Sequence, residues 1–167
     1  GSSYGITKVK SLKELIPAIK NAFSYGNEVV IEANIPGREV TNGIYRNKEG
    51  LKTLPITEII SENEYFDYEA KYNGKSKEIT PADFSKEHTQ KIKSLTSFIY
   101  KTLAMDGLAR MDYIINENNI PFLIEINSVP GMSKESIIPQ MIKEDNKQIK
   151  DVLLDIINLK TKKIDHF

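Results

Sequence analysis

The stretch LARMDYIINENNIPFLIEINSVPGMSKES (108–136) decides how the rest of the chain is read. LARMDYIIN (108–116) and PFLIEINS (121–128) are short runs rich in β-branched and aromatic residues, and the polar Glu117-Asn118-Asn119 between them reads as a turn. The spacing predicts an antiparallel hairpin. Residues two apart in a strand share a face, so Arg110 and Asp112 point the same way, and Glu125 and Asn127 share a face on the partner strand. Phe122, Ile124 and Ile126 fall on its opposite face and are expected to be core. If the polar faces align, Asp112, Glu125 and Asn127 converge beside Arg110.

Two carboxylates and an amide carbonyl are hard oxygen donors that suit magnesium or manganese and do not suit zinc. They are few ligands, so water and a substrate phosphate complete such a shell. A carboxylate bridging two ions gives a two-metal clamp on a phosphoryl group, and Arg110 beside it stabilises negative charge as it develops. Spacing alone equally fits a solvated hairpin face, because this alternation is ordinary in antiparallel sheets. The sequel tilts the balance. Val129-Pro130-Gly131-Met132-Ser133 is a turn with exposed backbone N–H groups, and Ser136 lies at a helix start, where the dipole favours a carboxylate or phosphate.

Outward from the hairpin, Ile92, Leu95, Phe98, Ile99 and Leu103 mark an amphipathic helix over about 86–104, ended by Met105-Asp106-Gly107. On the other side, helices are predicted near 135–143 and 146–160, with a frayed tail from Lys160. Nearer the start, Leu12, Leu15, Ile16, Ile19 and Phe23 recur at helical spacing. Ser11 and Glu14 fit a capping box, Pro17 weakens the helix and Gly26 stops it. EVVIEANI (28–35), REVTNGIYR (38–46) and TLPITEII (53–60) read as three strands of an antiparallel meander, with turns at Pro36-Gly37 and Asn47–Gly50. Residues 61–84 are charged and aromatic with weak periodicity, and are expected to be a long ordered loop with short strands.

Composition narrows the function classes. Among 167 residues, 23 basic side chains balance 23 acidic ones, which gives no global pull toward nucleic acid or an anionic membrane. With no cysteine, disulfides, thiolate zinc sites and cysteine nucleophiles are excluded, and the two histidines, His88 and His166, make a histidine metal cage untenable. No apolar run spans a bilayer; the expected location is the cytoplasm.

ARMDYII followed by FLIEINSVPGMSKESIIPQM closely resembles the C-terminal signature of D-alanine–D-alanine ligases, members of the ATP-grasp superfamily. FDYEAKY (66–72) with ITPADF is similar to that family's central loop. EVVIEANIPGREVT (28–41) resembles its adenine-hinge strand and the strand after it, and GSSYG its glycine–serine loop over the nucleotide, which reads the opening GSS as native sequence. The resemblance implies an α+β ATP-grasp fold with a small lobe (1–60) and a C-terminal lobe (61–167) holding the metal and acceptor site. It implies ATP with two magnesium or manganese ions, D-alanine as substrate, and a homodimeric parent enzyme, with neither nucleic acid nor membrane as partner. The implied reaction is ATP-dependent synthesis of D-alanyl-D-alanine through an acyl phosphate, for peptidoglycan precursors. The alternatives are another ATP-grasp carboxylate–amine ligase, or a nucleotide-binding module inactive alone.

By position, the resemblance implies Asp112, Glu125 and Asn127 as metal ligands. It implies Arg110, with the Gly131 N–H, as stabiliser of the transferred phosphate and the oxyanion. Ser136 would hold the carboxylate of the second D-alanine, and Lys71 would serve nucleotide phosphate. Tyr72 would link loop to substrate site through Ser2. Glu32, with Ala33 and Ile35 through backbone, would form the adenine hinge, and Glu39 would bind ribose. From the residues alone, Glu39 also fits a strand-edge charge, Tyr72 packing and Ser136 a helix cap. Two departures stand out: Ala33 where many relatives carry lysine, and Asn34 where an apolar residue is common. The family's first-substrate domain and phosphate-binding lysines have no counterpart in this chain, so the chain alone is expected to be an incompetent ligase. In this family tyrosine after the lysine accompanies dipeptide synthesis, and phenylalanine accompanies use of D-lactate. Tyr72→Phe in the full-length protein is expected to lower the ratio of dipeptide to depsipeptide formed from mixed acceptors near neutral pH, with ATP affinity little changed. An unchanged ratio would make Tyr72 a packing residue.

Overall fold

A computed structural model describes residues 5–61 and 76–164. They divide into two compact units: the described parts of Gly1–Ile35 and Ser61–Ser76, and those of Pro36–Ile60 and Lys77–Phe167. In the first unit, α1 (Leu12–Phe23) forms where the periodicity places it and carries through Pro17. Glu14 does reach back, but it accepts from the Lys10 amide (2.8 Å) and the Ser11 hydroxyl (3.0 Å), so Ser11 gives its proton to Glu14 and caps no helix amide. The expected strand over 28–35 is not formed: the segment has no ladder partner among the described residues, and Val30 and Ile31 are 81% and 66% exposed. β-branched composition marks a segment that fits a pleated, half-buried surface, and does not itself supply the neighbour that makes a strand.

The second unit holds β1 (Arg38–Asn47), β2 (Gly50–Ser61), β3 (Ser76–Ile79), α2 (Lys86–Thr102), β4 (Leu108–Ile115), β5 (Pro121–Asn127), α3 (Ile137–Glu144) and α4 (Ile149–Ile164). The five strands form one sheet in the order β3-β2-β1-β4-β5, with β1–β2, β1–β4 and β4–β5 antiparallel. The architecture is the expected α+β. Because β1 pairs along its length with β4, the hairpin 38–61 joins the C-terminal sheet, and Pro36–Ile60 belongs to the second compact unit. Helix α4 continues to Ile164, past the point where fraying was expected.

Local chemistry explains the strand geometry. At the β1–β2 turn the Glu49 amide donates to the Asn47 side-chain oxygen (3.0 Å), an Asx turn, and Gly50 takes φ +123°, which a side chain would oppose. Further along, Asn42 pairs with Ile56 and Ile44 with Thr53, so Leu54 and Pro55 together face the single residue Gly43. Pro55 has no amide hydrogen and sits at this bulge, where the ladder is already interrupted. The buried Asn42 side chain donates to the Leu54 carbonyl at 2.8 Å and binds the bulge from across the strand.

One face of the sheet carries Val40, Ile44, Ile56, Ala109, Met111, Tyr113 and Ile115, covered by Ile92 and Tyr100 of α2. Thr96 on α2 and the Tyr113 hydroxyl share a buried hydrogen bond of 2.9 Å. On the other face Tyr45 and Leu54 pack with Ile138, Met141 and Ile142 of α3 and Val152 of α4. A Cβ at Gly43 would lie 2.7 Å from Ile138 Cδ1 and 3.2 Å from Met141 Sδ, so glycine is what lets α3 lie directly on β1. The expectation that Phe122 and Ile124 are core is overturned: they are 37% and 54% exposed, and of that trio Ile126 alone packs against the core. β5 is an edge strand, and its register slips between Asp112–Glu125 and Tyr113–Leu123, leaving Ile124 as the unpaired residue of a bulge.

Burial pushes the Tyr113 phenol up to about 12 from its ordinary 10, against the opposing bond from Thr96. The unfolded chain therefore loses this proton first. The Tyr113 contribution to stability is complete below pH 10 and is lost as pH rises from about 10 to about 12, by about 2–3 kcal/mol. Denaturant melts of wild type and Tyr113→Phe across that window should diverge from their neutral-pH difference by this amount. A constant difference would exclude Tyr113 as the titrating group.

Candidate active site on the β4–β5 hairpin

The polar face of the hairpin is assembled as its alternation predicts. Arg110 pairs directly with Asn127, and Asp112 with Glu125. Arg110 grips Asp112 with two parallel bonds, Nε to Oδ1 and Nη2 to Oδ2, both 2.9 Å. Asn127 Nδ2 donates to Oδ2 at 3.0 Å. A further donor comes from β1: the fully buried Thr41 hydroxyl donates to Asp112 Oδ1 at 2.6 Å. Each carboxylate oxygen thus accepts two hydrogen bonds, so a cation ligated by Asp112 would have to displace one of these donors. Burial pulls the Arg110 pKa down, but the bonds and charge of Asp112, then the charges of Glu125 and Glu78, outweigh it and leave it above the ordinary value. The guanidinium stays charged and held in one plane.

Glu39 stands on β1 two residues before Thr41, hence on the same face, and pairs with Ile114 where Thr41 pairs with Asp112. It lies one same-face step along the sheet from the cluster. Beyond β5, Gly131 and Ser136 come together: a Cβ on Gly131 would meet Ser136 Oγ at 2.8 Å. Ser136 occupies the N-cap position of α3, yet its hydroxyl bonds Ser133 Oγ at 2.8 Å and caps no helix amide. The plain helix-cap reading of Ser136 therefore does not describe its side chain. Helix α3 crosses Gly43, the β1 residue paired with Arg110.

Glu32, Ala33 and Ile35 lie in the other compact unit, the first two exposed and Ile35 half-buried. Ser2, Lys71 and Tyr72 lie outside the described residues. Three residues that sequence reasoning missed belong to this face. Thr41 is one. The others are Glu78 of β3 and Gln140 of α3, joined by Nε2 to Oε2 at 2.6 Å. Thr41 shares a strand face with Glu39, but only the long-range β1–β4 pairing says which face that is.

By donor chemistry the cluster fits a hard divalent cation. Asp112, Glu125 and Asn127 offer oxygens, and among the described residues no group of three or more His, Cys, Asp or Glu forms a self-sufficient cage.

A five-stranded antiparallel sheet with helices packed on its faces, bearing this cluster on one hairpin, has the ATP-grasp architecture of D-alanine ligases. The family model for the D-ala D-ala ligase C-terminus matches residues 1–158, and the chain belongs to that family. It is 49% identical over 160 residues to the D-alanine–D-alanine ligase of Bacteroides fragilis, covering 96% of this chain and 49% of the relative. It is 47% identical over 157 residues to that of Porphyromonas gingivalis, covering 94% and 48%. The chain thus spans about half the length of the curated relatives it matches. Among solved structures, the VanG D-Ala:D-Ser ligase of Enterococcus faecalis superimposes with a TM-score of 0.82 at 32% identity, over 95% of this chain and 46% of that one. The D-alanine–D-alanine ligase of Bacillus anthracis complexed with ATP gives 0.76 at 31% identity, over 94% and 51%. Among the described residues no helix is long and apolar enough to cross a membrane.

Thr41→Val removes the β1 donor while keeping the side-chain volume. A double-mutant cycle with Asp112→Ala, read by denaturant unfolding, is expected to give a coupling energy of about 1–2 kcal/mol. Strict additivity would mean that Thr41 does not hold Asp112.

Proposed function

We propose that this chain is the C-terminal catalytic part of an ATP-dependent D-alanine–D-alanine ligase acting in the cytoplasm on peptidoglycan precursors. The observation that carries the reading is the convergence of Asp112, Glu125 and Asn127 beside a fixed Arg110, in a member of the D-alanine ligase family. In the full-length protein, Asp112, Glu125 and Asn127 hold magnesium or manganese ions, which supply charge neutralisation on the nucleotide phosphates. The adenine engages Glu32 and the backbone of Ala33 and Ile35; the ribose engages Glu39; Lys71 serves phosphate. Homodimeric assembly of the full-length protein is part of the same reading.

The chemistry asked of these residues is positioning and charge stabilisation. The γ-phosphoryl group passes to a carboxylate oxygen of the first D-alanine, leaving ADP. The amine of the second D-alanine, its carboxylate held by Ser136 with Tyr72 and Ser2 ordering the loop, attacks the acyl carbonyl. Arg110 and the Gly131 N–H face the tetrahedral oxyanion, which collapses with loss of phosphate and of the amine proton. Arg110 suits both stages because its bidentate bond to Asp112 fixes it before charge develops. The structural likeness to a D-Ala:D-Ser ligase supports one rival reading, D-serine as acceptor.

The test is phosphate release by the full-length protein with ATP, magnesium and D-alanine, with D-serine in parallel. D-alanine-dependent release and dipeptide product are expected; release that ignores both amino acids would overturn the reading. Glu125→Gln should cut turnover by roughly two orders of magnitude while the protein stays folded. Ile124→Ala, at an exposed bulge position, should leave turnover intact and stability within about 0.5 kcal/mol. Near-normal turnover of Glu125→Gln at low magnesium would remove Glu125 from the metal site.

A further inference from the structure

The hold on α3 combines two kinds of contact. Ile138 and Met141 pack against Gly43 and Leu54, and this burial sets how close α3 lies and turns its apolar stripe to the sheet, but it holds no polar group of the helix start in one direction. Direction comes from hydrogen bonds. Gln140, half-buried on α3, donates from Nε2 to Glu78 Oε2 at 2.6 Å and to the Glu135 carbonyl at 3.2 Å. One amide therefore ties the edge strand β3 to the residue immediately before Ser136. The Ser136 amide in turn donates to the Ser133 carbonyl at 2.9 Å, and the two serine hydroxyls are bonded, so the turn 133–136 moves with the start of α3. We propose that Glu78 is a positioning residue: through Gln140 it fixes the final rotation of α3, and with it the direction in which Ser136 is presented at the start of that helix. This deepens the function proposed above and rests on Ser136 as the acceptor-carboxylate residue.

A charged acceptor makes the Glu78–Gln140 bond stronger than a neutral pair would. Its bond to Gln140, on the helix that crosses Gly43 next to Arg110, places Glu78 on the face of the sheet that bears the cluster, and its charge adds to those that favour the Arg110 guanidinium.

The experiment uses the full-length protein with Glu78→Ala, Glu78→Gln, Gln140→Ala and the double variant Glu78→Ala/Gln140→Ala. In Glu78→Ala and Gln140→Ala, the Michaelis constant for the acceptor should rise about tenfold. The constant for ATP should stay within about twofold, and the double variant should be no worse than either single one. Glu78→Gln keeps an oxygen that accepts the same bond, so its acceptor constant should stay within about threefold of wild type. Amide hydrogen exchange over residues 136–141 should quicken in Glu78→Ala and not in Glu78→Gln, a readout that needs no turnover. The proposal is overturned by an unchanged acceptor constant in Glu78→Ala, by Glu78→Gln failing as badly as Glu78→Ala, or by exchange that does not change. Absence of D-alanine-dependent turnover in the wild type would instead remove the proposed function, and the exchange measurement would still decide whether Glu78 positions α3.

Discussion

The carboxylate of Asp112 is where three strands are made to agree. It takes a forked guanidinium from its own strand, a hydroxyl from β1 and an amide from β5. A mostly buried carboxylate is costly to desolvate unless its lone pairs are met by donors, so a register slip on either side would leave that charge short of partners. The ladder hydrogen bonds specify that strands pair; Asp112 specifies which residues stand opposite one another. The same arrangement fixes Arg110 in one rotamer facing the rest of the polar face.

Much of this was legible in the sequence, and what was legible is local. Alternation put Arg110 with Asp112 and Glu125 with Asn127, because a strand repeats every two residues whatever it pairs with. The apolar spacing of α2 and the glycine after it gave that helix nearly to the residue. The hairpin turn followed from a run of polar residues, and Asn119 takes the positive φ of 56° that asparagine tolerates.

What was not legible depends on partners far along the chain. The stretch 28–35 has strand composition and no ladder neighbour among the described residues. The assignment of Phe122 and Ile124 to the core assumed unbroken alternation. The bulge at Ile124 breaks the phase there, and an edge position leaves the strand only partly covered. Thr41 and Glu78 enter the site through sheet order, with β1 inserted between β2 and β4 and β3 at the margin. No periodicity in either segment announces that order.

Gly43 joins two parts of the protein usually treated separately. On one side it is the sheet neighbour of Arg110; on the other it is the floor on which Ile138 and Met141 rest. Dense interiors transmit volume changes as displacement. A methyl group added or removed at Gly43, Leu54 or Met141 therefore alters the spacing between a helix start and a guanidinium without touching either. For an evolving lineage, mutations in this apolar layer look like ordinary core drift, yet they are felt at the polar face of the hairpin.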